Sequence, residues 1–259
     1  MGTIVALANQ KGGVGKTTTA VNLAACLAEA GASTLVVDLD PQANATSGLG
    51  ERAGETSTYD LLDGAPLEEV VSPTRVERLA LVPSRPELAG AAVELARRDD
   101  GEGFLPDALA PARERYDFTF VDCPPSLGPL TVNGLAAADG VLVPVQCEYY
   151  ALEGLTQLLH SVDLVRARLN SRLVVAGMIL TMVDARTRLA ADVAAEVRRH
   201  FGDLVFTGAV PRSVRLAEAP SHGLPITEYD RGSAGADAYY RVAGELVERL
   251  RAGRAAVAA

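Results

Sequence analysis

The chain has 259 residues, 48% hydrophobic and 22% charged, with no Trp and a formal net charge of −9. That length suits one large α/β domain with a substantial core, and no apolar run approaches the roughly 18 residues of a membrane-spanning helix. Cys26, Cys123 and Cys147 lie far apart with no C-x-x-C pair, which argues against a disulfide framework or a zinc site and fits buried, inert thiols in a reducing cytoplasm.

The N-terminal MGTIVALANQ lacks a basic region and a cleavage site, and is expected to form a strand, not a signal peptide. From there, short β-branched runs alternate with stretches of helical apolar spacing. Residues 3–8, 34–38, 79–83, 118–122, 140–145 and 173–181 are predicted strands, buried on both faces. Residues 17–30, 87–97, 130–138, 152–168 and 189–201 are predicted helices, and Gly31 stands where a helix C-terminus wants a left-handed residue. Residues 48–75 and 98–104 are rich in Gly, Asp, Glu and Ser and are expected to be surface loops, with a short helix near residues 59–62. A last helix over about 236–251 would put Tyr239, Val242, Leu246 and Leu250 on one face, against the sheet. Strand–helix alternation of this kind predicts a single α/β domain over residues 1–259, a mostly parallel twisted sheet flanked by helices on both faces.

The charge is unevenly spread. Residues 160–259 carry 14 Arg against 11 Asp and Glu, a net of +3, so residues 1–159 carry −12. An acidic protein can present a local basic face in this way.

Residues 9–18, NQKGGVGKTT, leave the first strand and open the first helix. A glycine-rich loop in that setting turns backbone N–H groups inward, and the helix N-terminus adds partial positive charge, which together cradle phosphates. The general G-x-x-x-x-G-K-[ST] pattern fails by one residue, because its first glycine would fall on Gln10. In Gly12, Gly13, Val14, Gly15, Lys16, Thr17 and Thr18 the spacing places Lys16 for the β- and γ-phosphates and the Thr17 hydroxyl for Mg²⁺. Lys11 and Lys16 are the only lysines in the chain, against 22 arginines. A tight phosphate site favours a compact ammonium over a wide guanidinium fork, so Lys11 has a role that Arg cannot fill.

The stretch KGGVGKTT resembles the deviant Walker A motif of the ParA/MinD group of P-loop ATPases. The resemblance implies that Lys11 reaches the partner's phosphates across an ATP-sandwiched homodimer. Gly12 would then be the point where the two loops approach closely, since only Gly lets two backbones come so near.

Two acidic strand ends follow. Asp38 and Asp40, in VDLDPQ, sit where open α/β sheets place their ligands, and strand alternation points them to one side. The match to the family's DxDPQ motif implies that Asp40 positions or activates the attacking water, with Asp38 supporting the Mg²⁺ shell. The apolar FTFVD, residues 118–122, has the Walker B form, so Asp122 is expected to bind Mg²⁺ through water. His160, His200 and His222 have no motif context and are expected to be structural or exposed.

Three further segments, residues 145–154, 181–187 and 210–221, are similar to ParA proteins, closest to the short chromosomal Soj-like type. That similarity implies that Pro211 and Ser213 pack on adenine, although Ser213 stands where Asn is usual. It also assigns Arg186 and Arg215 to non-specific double-stranded DNA. With no aromatic interleaving, such binding should be sequence-independent and salt-sensitive. The implied function is a partition ATPase, cytoplasmic and nucleoid-associated, whose weak hydrolysis a ParB-type partner stimulates. A MinD-type membrane-associated positioning ATPase is the alternative. It would need bulky apolar residues in the C-terminal tail, whereas residues 251–259 offer only small ones. An iron–sulfur carrier or a ligase of the same superfamily shares the loop, but Cys123 and Cys147 lack the setting a cluster expects.

Overall fold

A computed structural model describes residues 1–52, 54–97, 101, 103–148 and 151–258, with side chains described except at 151–153 and 253–258. Eight strands form one sheet: β1 (Thr3–Leu7), β2 (Thr34–Asp38), β3 (Ser72–Pro73), β4 (Leu79–Val82), β5 (Phe118–Asp122), β6 (Gly140–Gln146), β7 (Val174–Val183) and β8 (Val205–Pro211). Their spatial order is β3-β4-β2-β5-β1-β6-β7-β8, and every neighbouring pair is parallel except β3 with β4. β1 and β2 are buried at every position, as strands covered on both faces must be.

Helix α1 (Lys16–Glu29) and the short α2 (Asn44–Gly48) pack on one face. The opposite face carries α3 (Thr58–Leu62), α4 (Leu67–Val70), α5 (Leu88–Leu95), α6 (Phe104–Ala108), α7 (Ala112–Arg115), α8 (Pro129–Ala137), α9 (Ala151–Arg168) and α10 (Arg188–Phe201). The chain then returns to the α1 face with α11 (Val214–Glu218), α12 (Ile226–Tyr229) and α13 (Ala234–Ala258). Two apolar layers therefore sandwich the sheet. The chain leaves β1 towards β2 on one side and later crosses to β6 on the other. That reversal opens a crevice at the carboxyl ends of the central strands.

The six expected strands are all present, the sixth running on to Val183. Two strands were not foreseen. β8 is broken in pattern by Thr207 and Gly208, whose amides bond the Glu245 carboxylate of α13 at 3.0 and 3.1 Å. A Cβ at Gly208 would lie 3.2 Å from Val242 Cγ2, so a larger residue there would have to displace that side chain of α13. β3, at the far edge, is only two residues long and includes a proline. Within residues 48–75 the expected short helix is present as α3, started by a capping box between Ser57 and Asp60, and α4 and β3 follow where only loop was expected. Of the 98–104 segment, residues 98–100 and 102 lie outside the described residues. The last helix begins at Ala234 and runs further than expected. Tyr239, Val242 and Leu246 are buried and Leu250 packs against them, with the Tyr239 hydroxyl 3.1 Å from Thr19 Oγ1 on α1.

All three cysteines are buried and unpaired, and burial raises each thiol's pKa, to about 11 for Cys147. The three histidines are exposed, His222 stacking on Tyr229.

Candidate nucleotide site and the adjoining arginine rim

The loop between β1 and α1 is held from both ends. The Asn9 amide donates to the Pro144 carbonyl at 2.7 Å and its Oδ1 accepts the Lys11 amide at 3.0 Å. Further along, Thr181 Oγ1 on β7 donates to the Val14 carbonyl at 2.8 Å. Gly13 and Gly15 adopt φ of 74° and 89°, which only glycine reaches without strain, and so the chain turns directly into α1. Gly12, Gly13, Gly15, Lys16, Thr17 and Thr18 line a cleft of about 410 Å³ at the carboxyl end of the sheet, with Asp40 and Pro125 across from them. Val14 turns its side chain into the core at 1% exposure and serves through its backbone.

Lys16 is buried, with Nζ 3.3 Å from the Lys11 carbonyl. Burial lowers its pKa, a shift opposed by the nearby Asp122, Cys123 and Asp40. Lys11 points elsewhere: its ammonium meets Glu148 Oε2 at 2.6 Å, while Gln146 holds the other oxygen of Glu148, also at 2.6 Å. The two lysines of one loop therefore serve different places.

The three carboxylates differ just as sharply. Asp122 is fully buried on β5 and, among the described residues, neither of its oxygens has a hydrogen-bond partner. Burial raises its pKa well above the usual carboxylate value, Asp38 adds to the rise, and the Thr17 hydroxyl and Lys16 oppose it. Asp38 is its register partner on β2. Unlike Asp122, Asp38 is fully engaged: Oδ2 accepts the Thr46 amide and hydroxyl at 2.8 and 2.7 Å, and Oδ1 the Asp40 amide at 3.2 Å. Burial raises its pKa to about 6 against those hydrogen bonds. Because β2 ends at Asp38, simple alternation fails beyond it. The chain folds back on the Asp38 carboxylate, and Asp40 faces the cleft with its Oδ1 accepting the Gln42 amide.

An orphaned, buried carboxylate beside a threonine hydroxyl fits a hard divalent cation. Among the described residues no group of three or more His, Cys, Asp or Glu could cage a metal. The donor set therefore suits an ion that keeps several waters and takes phosphate oxygens, as Mg²⁺ does.

Pro211 and Ser213 line a second cavity of about 200 Å³ that shares Gly15, Thr18 and Met182 with the cleft. The Ser213 hydroxyl caps α11 by accepting the Leu216 amide at 3.4 Å. Pairing of Val183 with Pro211, and the Arg212 amide donating to the Val183 carbonyl, bring the loops after β7 and β8 together. Arg186 and Arg215 stand on these neighbouring loops. Arg186 is 88% exposed and forked onto Asp184 at 2.8 and 2.9 Å, and Arg215 reaches Glu218 at 3.1 Å and Asp230 at 3.3 Å. Arg186 holds the Asp184 carboxyl well below the usual range.

Sequence reasoning missed several groups. Met182 lines both cavities with a left-handed backbone, φ 52°, which is unfavourable for a non-glycine residue and concentrates at functional sites. Asn22 lines the cleft and its Oδ1 accepts the Ile226 amide at 2.7 Å, fastening the 219–226 wall to α1. Glu148 was inside a noted segment, but nothing local announced its contact with Lys11. Tyr149 and Tyr150 of that segment lie outside the described residues.

Strand, glycine cradle, buried lysine, threonine and Walker B carboxylate together define a P-loop nucleoside-triphosphatase. A family model described as an AAA domain matches residues 2–175. The chain is 53% identical over 249 residues to the sporulation initiation inhibitor protein Soj of Bacillus subtilis, covering 95% of this chain and 98% of that protein. It is 55% identical, over 95% of this chain and 96% of the relative, to the chromosome-partitioning ATPase Soj of Thermus thermophilus. Among solved structures, cobyrinic acid a,c-diamide synthase from Mycobacterium smegmatis, with bound ATP analogue and magnesium, aligns with a TM-score of 0.85. Its identity is 36%, covering 98% of this chain and 97% of that one. The chain belongs to the ParA/Soj family of chromosome-partitioning ATPases.

Proposed function

We propose that this protein is a nucleotide-operated switch in which ATP closes a sandwich homodimer that binds DNA without sequence preference, and hydrolysis resets it. The observation that carries this reading is Lys11. Its ammonium rests on Glu148 and not in the cleft beside it, and so remains available for a phosphate outside its own subunit. Gly12 supports the same reading. It has ordinary backbone geometry, and among the described residues a Cβ there would meet only Pro125, at 3.9 Å. Among the described residues nothing requires a glycine at that position, whereas close approach of a second loop would.

In this reading the loop amides and Lys16 hold the β- and γ-phosphates, and the α1 N-terminus adds its partial charge. Mg²⁺, when bound, neutralises charge on the phosphate oxygens. Thr17 would hold that ion directly and Asp122 through water. Asp40, facing the cleft, orients the attacking water. Asp38 positions rather than ligates, since the hydrogen bonds of its carboxylate go to Thr46 and Asp40. Adenine would occupy the smaller cavity, against Pro211 and beside Ser213. Arg186 and Arg215 would meet DNA phosphates, and dimerisation would double a modest basic rim into one that spans a duplex. A ParB-type partition protein is the stimulating partner of this reading, and the nucleoid its place of action.

The test is DNA co-sedimentation with ATP, with ADP and without nucleotide, run on the wild type and Asp40→Ala. Wild type should pellet with DNA only with ATP, and Asp40→Ala should retain ATP and accumulate as a DNA-bound dimer. A monomeric Asp40→Ala protein in ATP overturns the assignment.

A further inference from the structure

The turn after β2 carries Asp40 into the nucleotide cleft, and its course is set by a residue outside the sequence motifs, Ser84. The sheet stops supporting this turn early. The Leu39 amide still donates to the Asp122 carbonyl at 3.0 Å. Asp40 lies past the strand end, and Pro41 after it has no amide to donate. Side chains must hold what the ladder no longer does.

Four residues do so in a closed ring. Ser84, buried just beyond β4, donates its hydroxyl to the Asp40 carbonyl at 2.7 Å. The Asp40 amide donates to Asp38 Oδ1 at 3.2 Å. The Thr46 hydroxyl donates to Asp38 Oδ2 at 2.7 Å, and the Ser84 amide closes the ring on that Thr46 oxygen at 2.9 Å. Each proton has one place to go. An ionised Asp38 carboxylate only accepts, so the Thr46 hydroxyl donates to it and offers a lone pair to Ser84. The Asp40 carbonyl likewise only accepts, which fixes the Ser84 hydroxyl. Thr58 clamps the same two strand ends, its hydroxyl lying 2.7 Å from the Asp38 carbonyl and 3.2 Å from that of Pro83.

Of the four ring members, Asp40 alone lines the cleft. It is gripped on both sides of its Cα, the amide by Asp38 and the carbonyl by Ser84, while its Oδ1 accepts the Gln42 amide at 3.0 Å. Holding both peptide groups fixes the backbone dihedrals, and with them the direction in which the carboxylate leaves the chain.

We propose that Ser84 is a positioning residue for ATP hydrolysis: it aims Asp40 at the attacking water without touching the nucleotide itself. The hydrolytic half rests on the role given to Asp40 above, and the ring's hold on the turn does not. A catalytic group displaced by about 1 Å loses much of its effect. The phosphate contacts of Lys16 and the loop amides are built on β1 and α1, away from the ring. Loss of the Ser84 hydroxyl therefore slows the chemical step and spares nucleotide binding.

The experiment compares the full chain with Ser84→Ala and Ser84→Thr. In nucleotide-free protein, hydrogen exchange at the Asp40, Gln42 and Ala43 amides should quicken about threefold or more in Ser84→Ala. Its kcat should fall roughly tenfold, with KM and the affinity for a fluorescent ATP analogue unchanged. Ser84→Thr, which keeps a hydroxyl, should restore both exchange and rate. Unchanged exchange in Ser84→Ala overturns the ring's role. Faster exchange with an unchanged kcat, or a loss of ATP affinity as large as the loss of rate, overturns the positioning. A Ser84→Thr chain as slow as Ser84→Ala assigns the loss to packing and overturns it too. Asp40→Asn separates this proposal from the reading beneath it. Hydrolysis by Asp40→Asn at the wild-type rate would overturn the role of Asp40 and the hydrolytic half together. An inactive Asp40→Asn beside a fully active Ser84→Ala overturns the role of Ser84 alone.

Discussion

The phosphate loop and the arginine rim lie at the same end of the sheet, yet they are built on opposite physical terms. The loop is buried and over-determined: Asn9, Thr181 and two left-handed glycines leave its backbone one course. Its charges are under-compensated, with Lys16 and Asp122 both shifted towards neutrality by burial. On the rim, by contrast, Arg186 and Arg215 are exposed and already matched to Asp184, Glu218 and Asp230. A buried, incompletely paired site gains much from a ligand that completes it. A solvated, paired site must exchange partners and gains little per contact. On the proposed reading, the protein would hold a nucleotide tightly and DNA reversibly.

This contrast can be broken by experiment. Lys16→Ala should produce the largest loss, roughly a hundredfold in ATP affinity by titration with a fluorescent analogue, because it removes a charge-assisted contact in a desolvated cleft. Arg215→Glu should leave ATP binding and dimerisation intact and weaken DNA binding about tenfold. Its log–log salt slope should fall by about one per protomer. An unchanged slope would remove this arginine from the interface.

Smaller effects sharpen the comparison. Glu148→Gln frees Lys11 from an exposed ion pair, so ATP-dependent dimerisation measured by ultracentrifugation should strengthen roughly two- to fivefold. A weaker dimer would mean that Glu148 orients Lys11 productively. The smallest effect is one of pH. The Asp38 carboxyl has its pKa raised from 3.8 to about 6 in the fold, so the folded state binds its proton more readily than the unfolded chain. Its contribution favours folding at low pH and is lost as pH rises from about 4 to about 6. In nucleotide-free protein, Asp38→Asn should flatten that part of the stability profile in thermal melts.

Much of the architecture could be read from residue order. The β-branched runs of β1, β2, β5 and β6 are buried on both faces and need no alternation to be recognised. β8 could not be seen in this way, since Thr207 and Gly208 interrupt its pattern and make sense only against Glu245 and Val242 on α13. Of the short helices between residues 44 and 70, the one at residues 58–62 was expected, whereas α2 and α4 were hidden, being too short for a periodicity to register. Within the site, motif spacing located Lys16, Thr17, Asp40 and Asp122. Strand alternation pointed Asp38 and Asp40 to one side, whereas their different settings depend on Thr46 arriving from α2.

By itself the sequence determined the sheet, the phosphate loop and the unusual second lysine. These are encoded locally, in side-chain periodicity and in glycines required by backbone geometry. Only the tertiary structure decided where Lys11 points, which acidic residue lacks partners and which loops share a rim. Those properties belong to pairs of residues as much as 137 positions apart, as with Lys11 and Glu148. They exist only once the chain has closed the distance between them.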